Sequence, residues 1–195
     1  MACYNNIPYD GDEHAFSDAD RQSMVFLRDR IYSHNVLRIN YTTYDMRHTQ
    51  DSINIRTHPF IMVLAHEDDT DVDPHPYWYA KVLSIYHINV RVSDHVESQR
   101  MEFLWVHWFG RDPDHQARFE SCQPFRIGLM DQEDPTSYGF IDPSDVLQAV
   151  HLILAFTNGT ISRVAAGADD EEWEFYYVSM YWYSSSAALH VLIIA

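Results

Sequence analysis

The hydrophobic pattern of this chain consists mainly of short runs of β-branched and aromatic residues that alternate with polar segments. Such runs predict β-strands over residues 36–44, 60–66, 77–92, 101–109, 126–130 and 173–183. The polar segment SDHVESQR joins the third and fourth runs into a long hairpin. Long loops between short strands favour a mainly β (α+β) fold, built around a small, partly open β-barrel.

Two helices are predicted to accompany the strands. A helix over residues 18–32 follows from the N-cap Ser17 and from apolar residues at helical spacing: Met24, Leu27 and Ile31. Asp142 is suited to cap a short inserted helix, and Pro143 suits the first position of that helix. The expected fold is therefore an N-terminal helix, a β-barrel and a short inserted helix.

The length of 195 residues predicts one domain with short extensions. We expect a flexible arm over residues 1–16, a single β-rich domain over 17–183 and a divergent C-terminal tail over 184–195. The tail is expected to be dispensable for stability. A flexible loop is expected over TNGTISRVAAGADDEE, residues 157–172.

The charge balance limits the partners that this chain can bind. Thirteen basic and 29 acidic residues give a formal net charge of −16. A surface this negative repels phosphate, so we expect no tight binding to duplex DNA, and it attracts basic peptides. The 12 histidines would add positive charge at low pH, so the surface charge is expected to depend on pH.

No catalytic motif is found in the sequence. There is no G-x-S-x-G, P-loop or G-x-G-x-x-G pattern, and Cys3 and Cys122 form neither a disulfide framework nor a zinc pattern. The acids and histidines of residues 66–75 lack the spacing of a calcium loop or of HExxH, which favours a solvated loop over a metal site. We predict a non-enzymatic protein without metal or cofactor.

Aromatic residues are concentrated on the predicted hairpin. Tyr77 and Tyr79 point to one side of the first strand and Trp78 to the other. Either both faces are core, or one face leaves aromatic rings at a binding surface. We predict that Trp78 and Trp105 are mainly structural. Tyr77, Tyr79 and Trp108 are predicted to lie at a groove beside the acidic loop 67–76 and to hold a lysine or methyl-lysine by cation–π attraction.

The segment VHWFGRDPD resembles the W-F-x-R-P strand-to-loop signature of bromo-adjacent homology (BAH) domains. Trp108, Phe109, Arg111 and Pro113 are the matching residues, with one residue inserted before the proline. PYWYAKVLSIYH and YGFIDPSDVLQAVHLI resemble the preceding strand and the later part of such domains. The resemblance implies a BAH-like β-barrel that recognises proteins.

A second resemblance covers roughly residues 28–180. It is carried, in order, by VLRINYTTYDMRHTQDSINIRTHPFIMVL, HPYWYAKVLSIYHINV, MEFLWVHWFGRDPD, YGFIDPSDVLQAVHLI and EEWEFYYVSMY. These segments resemble the C-terminal region of proteins encoded by Plavaka-type (CACTA-like) DNA transposons of mushroom-forming fungi. The DDE-type nuclease acids of such proteins lie upstream of this region, so the resemblance implies no catalytic residue here. After FYYV the sequence departs from the family pattern.

These observations together predict a transposon-derived protein-recognition domain that reads a basic, histone-type peptide on chromatin. Two alternatives stay open: a decayed transposase remnant or tethering domain without independent activity, and an orphan hydrolase. The N-terminus has no signal-peptide pattern, and no apolar run reaches the ~18 residues of a membrane span. We therefore expect a soluble, intracellular protein, and a chromatin partner implies a nuclear location.

Overall fold

A computed structural model describes residues 17–18, 22–42, 48–65, 75–92, 97–115, 124–165, 168–179 and 189–192. The fold is mainly β, as predicted: strand makes up 65% of it, and the largest sheet curls into a half-barrel. No helix of seven or more residues occurs in the described part of the chain. Both predicted helices are therefore wrong.

Fourteen strands follow one another along the described residues. They are β1 (Met24–His34), β2 (Val36–Thr42), β3 (His48–Asn54), β4 (Phe60–Leu64), β5 (Tyr77–Val92), β6 (Gln99–Arg111), β7 (Arg126–Leu129), β8 (Tyr138–Ile141), β9 (Val146–Ala149), β10 (Leu152–Leu154), β11 (Thr160–Ala165), β12 (Ala168–Trp173), β13 (Tyr176–Val178) and β14 (Leu189–Leu192).

The strands form three sheets. The large sheet has nine strands in the order β10-β13-β7-β6-β5-β4-β9, and β1 and β8 are added to it through β5 and β6. Strands β11 and β12 form a hairpin, and β14, β2 and β3 form a three-stranded sheet. Every strand pair is antiparallel.

The hairpin of β5 and β6 is the centre of the large sheet. Its ladder runs from Val90↔Gln99 to Ala80↔Trp108, which confirms the hairpin that the sequence predicts. The register shifts between Val82 and Ser84, where β5 has one residue more than β6. Such a bulge reverses the face to which the following side chains of β5 point.

Two apolar clusters cover the two faces of the sheet where β4, β5 and β6 meet. The first cluster lies between the large sheet and β2 and β3; its buried members include Leu37, Ile39, Ile53, Ile61, Val82, Leu104 and Val106. The second lies against β7, β10 and β13; its buried members include Tyr79, Phe109, Ile127, Leu152, Tyr176 and Val178. This part of the hairpin is therefore covered on both faces.

Strand β1 replaces most of the predicted N-terminal helix. Apolar residues do recur at helical spacing there, but Phe26 and Ile31 are exposed, at 54% and 65%, and the segment pairs with β5. Arg28 and Asp29 have positive φ angles of 61° and 54°, where the β1–β5 register shifts. The segment therefore forms a strand although its apolar spacing fits a helix, because pairing with a neighbouring strand can outweigh the weak helix preference of the local sequence.

The inserted helix is a single 3₁₀ turn, Pro143–Asp145. The Asp142 side chain accepts a hydrogen bond from the Ser144 backbone N–H, and proline occupies the first turn, so the cap is where the sequence suggests. The chain then becomes extended at Val146, the start of β9. The β-branched and apolar residues that follow the cap favour pairing with β4 over a longer helix.

Two further segments contain strands, and only the first differs from the expectation. The segment predicted as a flexible loop, residues 157–172, contains β11 and most of β12, which pair from Thr160↔Trp173 to Ala165↔Ala168. Within the predicted tail, Leu189–Leu192 form β14 and pair with Arg38–Tyr41 of β2. The predicted arm, residues 1–16, lies outside the described residues.

Candidate functional site

A groove opens where β5 and β6 separate. Their ladder ends at Ala80↔Trp108. Beyond that pair, Tyr79 and Trp78 continue along β4, whereas Phe109 and Gly110 continue along β7. The two strands therefore diverge, and the space between them is lined by side chains from both.

The groove has a volume of about 360 Å³. It is lined by Tyr77, Trp78, Tyr79, Trp108, Phe109, Gly110, Arg111, Ile127, Met130 and Thr136. The three residues predicted from the sequence to form a binding site, Tyr77, Tyr79 and Trp108, thus lie together on one groove. Their role in binding stays a prediction.

Two tryptophans lie at the end of the groove where the strands meet. The rings of Trp78 and Trp108 are 5.9 Å apart at an interplanar angle of 76°. Trp78 is 41% exposed, which disagrees with the expectation that it is mainly structural. Trp108 is partly buried and packs against the first apolar cluster. The exposed face of this pair is therefore formed mainly by Trp78.

Trp108 is held in place by the segment that precedes and begins β8. Its backbone N–H donates to the Ser137 carbonyl at 2.8 Å, and its own carbonyl accepts from Met130 at 3.0 Å. A Cβ atom on Gly139 would lie 2.8 Å from Trp108 Nε1. Any side chain at position 139 would therefore displace the indole, and this role of Gly139 was not evident from the sequence.

Tyr79 lies deeper than the sequence suggests. It is only 3% exposed and belongs to the second apolar cluster, so its ring forms part of the groove floor. Its hydroxyl lies 3.1 Å from Nε2 of the buried His75, whose ring lies 4.3 Å from that of Phe125. Tyr79 thus lies at the groove as a buried residue, whereas Tyr77 is partly exposed.

A carboxylate lies beside the groove, next to Thr136. Both the backbone N–H and the hydroxyl of Thr136 donate to Asp134, at 2.8 and 2.6 Å. These hydrogen bonds lower the pKa of Asp134, so its carboxylate stays charged at neutral pH. Asp131 and Glu133 lie in the same short loop. The predicted acids of residues 67–74 lie outside the described residues.

Arg111 is the arginine that lines the groove, away from the strand junction. Arg111 lies three residues beyond Trp108 on β6 and is exposed. Next to it, Asp112 is buried and forms an ion pair with Arg126, whose guanidinium lies 4.9 Å from the Phe175 ring centroid. Burial opposes the charge on Arg126, but its hydrogen bond to Asp112 raises the pKa above its ordinary value. The ion pair joins the end of β6 to β7.

The described residues include no group of three or more histidine, cysteine or acidic side chains that could hold a metal ion. The acids of the candidate loop, at residues 67–73, and both cysteines, Cys3 and Cys122, lie outside the described residues. Among the described residues, no helix is both long enough and apolar enough to cross a membrane.

Sequence reasoning missed part of the groove. Met130 and Thr136 come from the segment between β7 and β8, far from the hairpin in sequence, and no local pattern indicates that they approach it.

Comparisons of this chain with protein-family models, curated proteins and solved structures gave no match.

Proposed function

We propose that this chain is a non-enzymatic protein-recognition domain that binds a basic, histone-type peptide in the groove between β5 and β6. The observation that carries the proposal is the pair Trp78 and Trp108, whose rings meet at 76° in a groove that is also lined by Thr136, the hydrogen-bond donor to Asp134. Aromatic faces attract a lysine or methyl-lysine cation, each by roughly 0.5–2 kcal/mol.

The charge of the whole chain supports the same class of partner. A net charge of −16 raises the local concentration of basic peptides and opposes the approach of nucleic acid. The BAH-like and transposon-protein resemblances favour a chromatin partner for this groove.

The test is a titration with fluorescent histone-type peptides that carry lysine, trimethyl-lysine or glutamate at one position. We expect the two cationic peptides to bind and the glutamate peptide not to bind, with an affinity that falls as salt increases. A duplex DNA of similar length should show no binding below the micromolar range at ~150 mM salt.

Two substitutions connect the binding to the groove. Trp78→Ala removes an exposed ring and should weaken cation binding about tenfold, which corresponds to ~1.4 kcal/mol. Phe156→Ala is the matched control, because Phe156 is also exposed, at 69%, and does not line the groove. Equal binding by all three peptides, or no binding at all, would favour a remnant without recognition activity.

A further inference from the structure

A row of aromatic side chains continues from the groove along the outer face of β6 and β8. We call it the aromatic stripe; its members are Tyr86, Phe103, Trp105, Tyr138 and Phe140. Adjacent rings are in contact range: Tyr86 and Phe103 are 5.5 Å apart, Phe103 and Phe140 5.7 Å, and Trp105 and Tyr138 6.1 Å. Trp105 and Phe140 are direct cross-strand partners.

The stripe is accessible, and none of its five members is charged. Phe140 is 69% exposed and Trp105 is 37% exposed, so neither is core. Exposed apolar surface of this kind marks interaction sites more often than chance.

His107 connects the stripe to the groove. Its Nε2 lies 2.9 Å from the carbonyl oxygen of Met130, which lines the groove. On its other side the His107 ring stacks on Tyr138, with centroids 4.5 Å apart at 23°. His107 and Phe109 are themselves buried, but Thr136, which lines the groove, lies two residues before Tyr138, so the stripe adjoins the groove at its Tyr138 end.

We propose that the aromatic stripe binds uncharged, apolar residues of the same peptide whose cation occupies the groove. The proposal rests on the peptide-binding function above and specifies its partner further. Phe109 and Phe103 are six residues apart, roughly 20 Å along a strand. The partner is therefore an extended peptide with a lysine-type cation at one position and apolar side chains about four to six residues away.

Charge favours this occupant over a second copy of the chain. Two copies would bring together two net charges of −16, and that repulsion opposes self-association. A basic peptide is attracted by the same charge. Its uncharged residues can lie on the stripe without burying a charged side chain of the peptide or of the stripe.

The experiment compares two peptides by fluorescence anisotropy. Both carry one trimethyl-lysine; the long-apolar peptide has leucines at alternate positions four and six residues away, and the matched peptide has serines there. We expect the leucine peptide to bind the unaltered protein about tenfold more tightly, the range that burial of one or two aliphatic side chains can supply.

Two variants assign that gain to the stripe. Phe140→Thr should abolish the gain, and Trp105→Thr on the neighbouring strand should reduce it as a second, independent variant. Phe156→Thr should keep it, because Phe156 has the same 69% exposure but lies outside the stripe. Circular dichroism confirms that each variant is folded.

The outcomes separate the two proposals. If Trp78→Ala weakens both peptides but the leucine peptide shows no gain, the stripe proposal is wrong and the groove proposal stands. If neither peptide binds the unaltered protein, both proposals are wrong. A dimer in sedimentation velocity that Phe140→Thr converts to a monomer would show that the stripe is a self-association surface instead.

Discussion

The two ends of β6 carry the same alternation of aromatic side chains but lie in different surroundings. Phe109, at one end, is 9% exposed and contacts the rings of Phe60 and Tyr176 at 5.8 and 5.6 Å. Phe103, on the same face six residues earlier, is only partly buried and contacts Tyr86 and Phe140. The covered end is core, whereas the open end is surface.

The difference arises from what lies over each end. Strands β7, β10 and β13 bring the second apolar cluster over the covered end. At the open end, the described residues that share the outer face belong to the sheet itself, and Phe140 and Ile31 are 69% and 65% exposed. The alternation of residues along a strand therefore defines two faces, but which face is buried depends on strands distant in sequence.

Alanine substitution of the two phenylalanines should separate these ends most clearly. Phe109→Ala removes a ring from the second apolar cluster and should lower the free energy of unfolding by about 3–5 kcal/mol. Phe103→Ala should lower it by only about 1 kcal/mol, since that ring is only partly buried and lies outside both apolar clusters. Urea unfolding of both variants measures the difference. Equal losses would show that the open end is also core.

The paired glycines of β6 and β7 differ in how closely their neighbours approach them, which gives a second comparison with a smaller expected effect. Gly110 and Gly128 lie opposite each other, but a Cβ on Gly128 would be 2.9 Å from the Glu174 carbonyl oxygen. The nearest atom to a Cβ on Gly110 is Met130 Cγ, at an ordinary 3.6 Å. We expect Gly128→Ala to cost about 1–3 kcal/mol and Gly110→Ala to change stability by less than about 0.5 kcal/mol.

Thermal unfolding of the two glycine variants provides the measurement. Gly110→Ala is the control for loss of glycine itself, because both positions are in strands. A similar loss in both variants would mean that β13 and the residues before it do not cover β7 as closely as the contact indicates.

The sequence predicts the strands whose local pattern agrees with their structure and mispredicts a segment whose structure depends on a distant strand. The hairpin of β5 and β6 could be predicted because its residues are locally consistent with strand over their whole length. The segment that forms β1 was predicted as a helix because apolar spacing at Met24, Leu27 and Ile31 fits a helical period. Its strand structure depends on pairing with β5, which lies more than 50 residues later.

The candidate site was predictable only in its aromatic composition. Tyr77, Tyr79 and Trp108 could be grouped because they lie on two paired strands. The depth of each ring could not be predicted: Tyr79 is covered by Phe125 and its neighbours, and Trp78 is left open where β5 and β6 separate. Both effects depend on β7 and the segment after it, whose position no local pattern specifies.

Acidic pH should act mainly on the open end. His34 Nε2 and His87 Nδ1 are 2.5 Å apart and join β1 to β5, and Tyr32 stacks on His87 at 4.6 Å. Burial, Arg100 and His34 lower the pKa of His87 below its ordinary value of 6.5. Glu102, the cross-strand neighbour of His87, is engaged by Arg100 at 2.7 Å.

A lowered pKa means that the unfolded chain binds the proton more tightly than the folded chain. The stabilisation is therefore present above pH 6.5 and is lost as the pH falls from there towards the folded pKa. The hydrogen-exchange protection factors of β1 amides, which correct for the slower intrinsic exchange at lower pH, should fall below pH 6, while those of β7 amides should not. His87→Phe preserves the stack with Tyr32 and should remove the effect. An unchanged pH response in that variant would show that another group is responsible.

The smallest effect is expected for Phe140, at the centre of the open face. Replacing a phenylalanine in a strand usually costs several kcal/mol, because the ring is normally buried. Phe140 is 69% exposed, and its main ring contact is with Phe103, so little apolar surface returns to water when it is removed. Threonine keeps the strand preference of the position. Phe140→Thr should therefore change the free energy of urea unfolding by less than about 0.5 kcal/mol. A loss of 2 kcal/mol or more, on the order expected for a core side chain, would show that the open end is covered after all and that the aromatic stripe is part of the core.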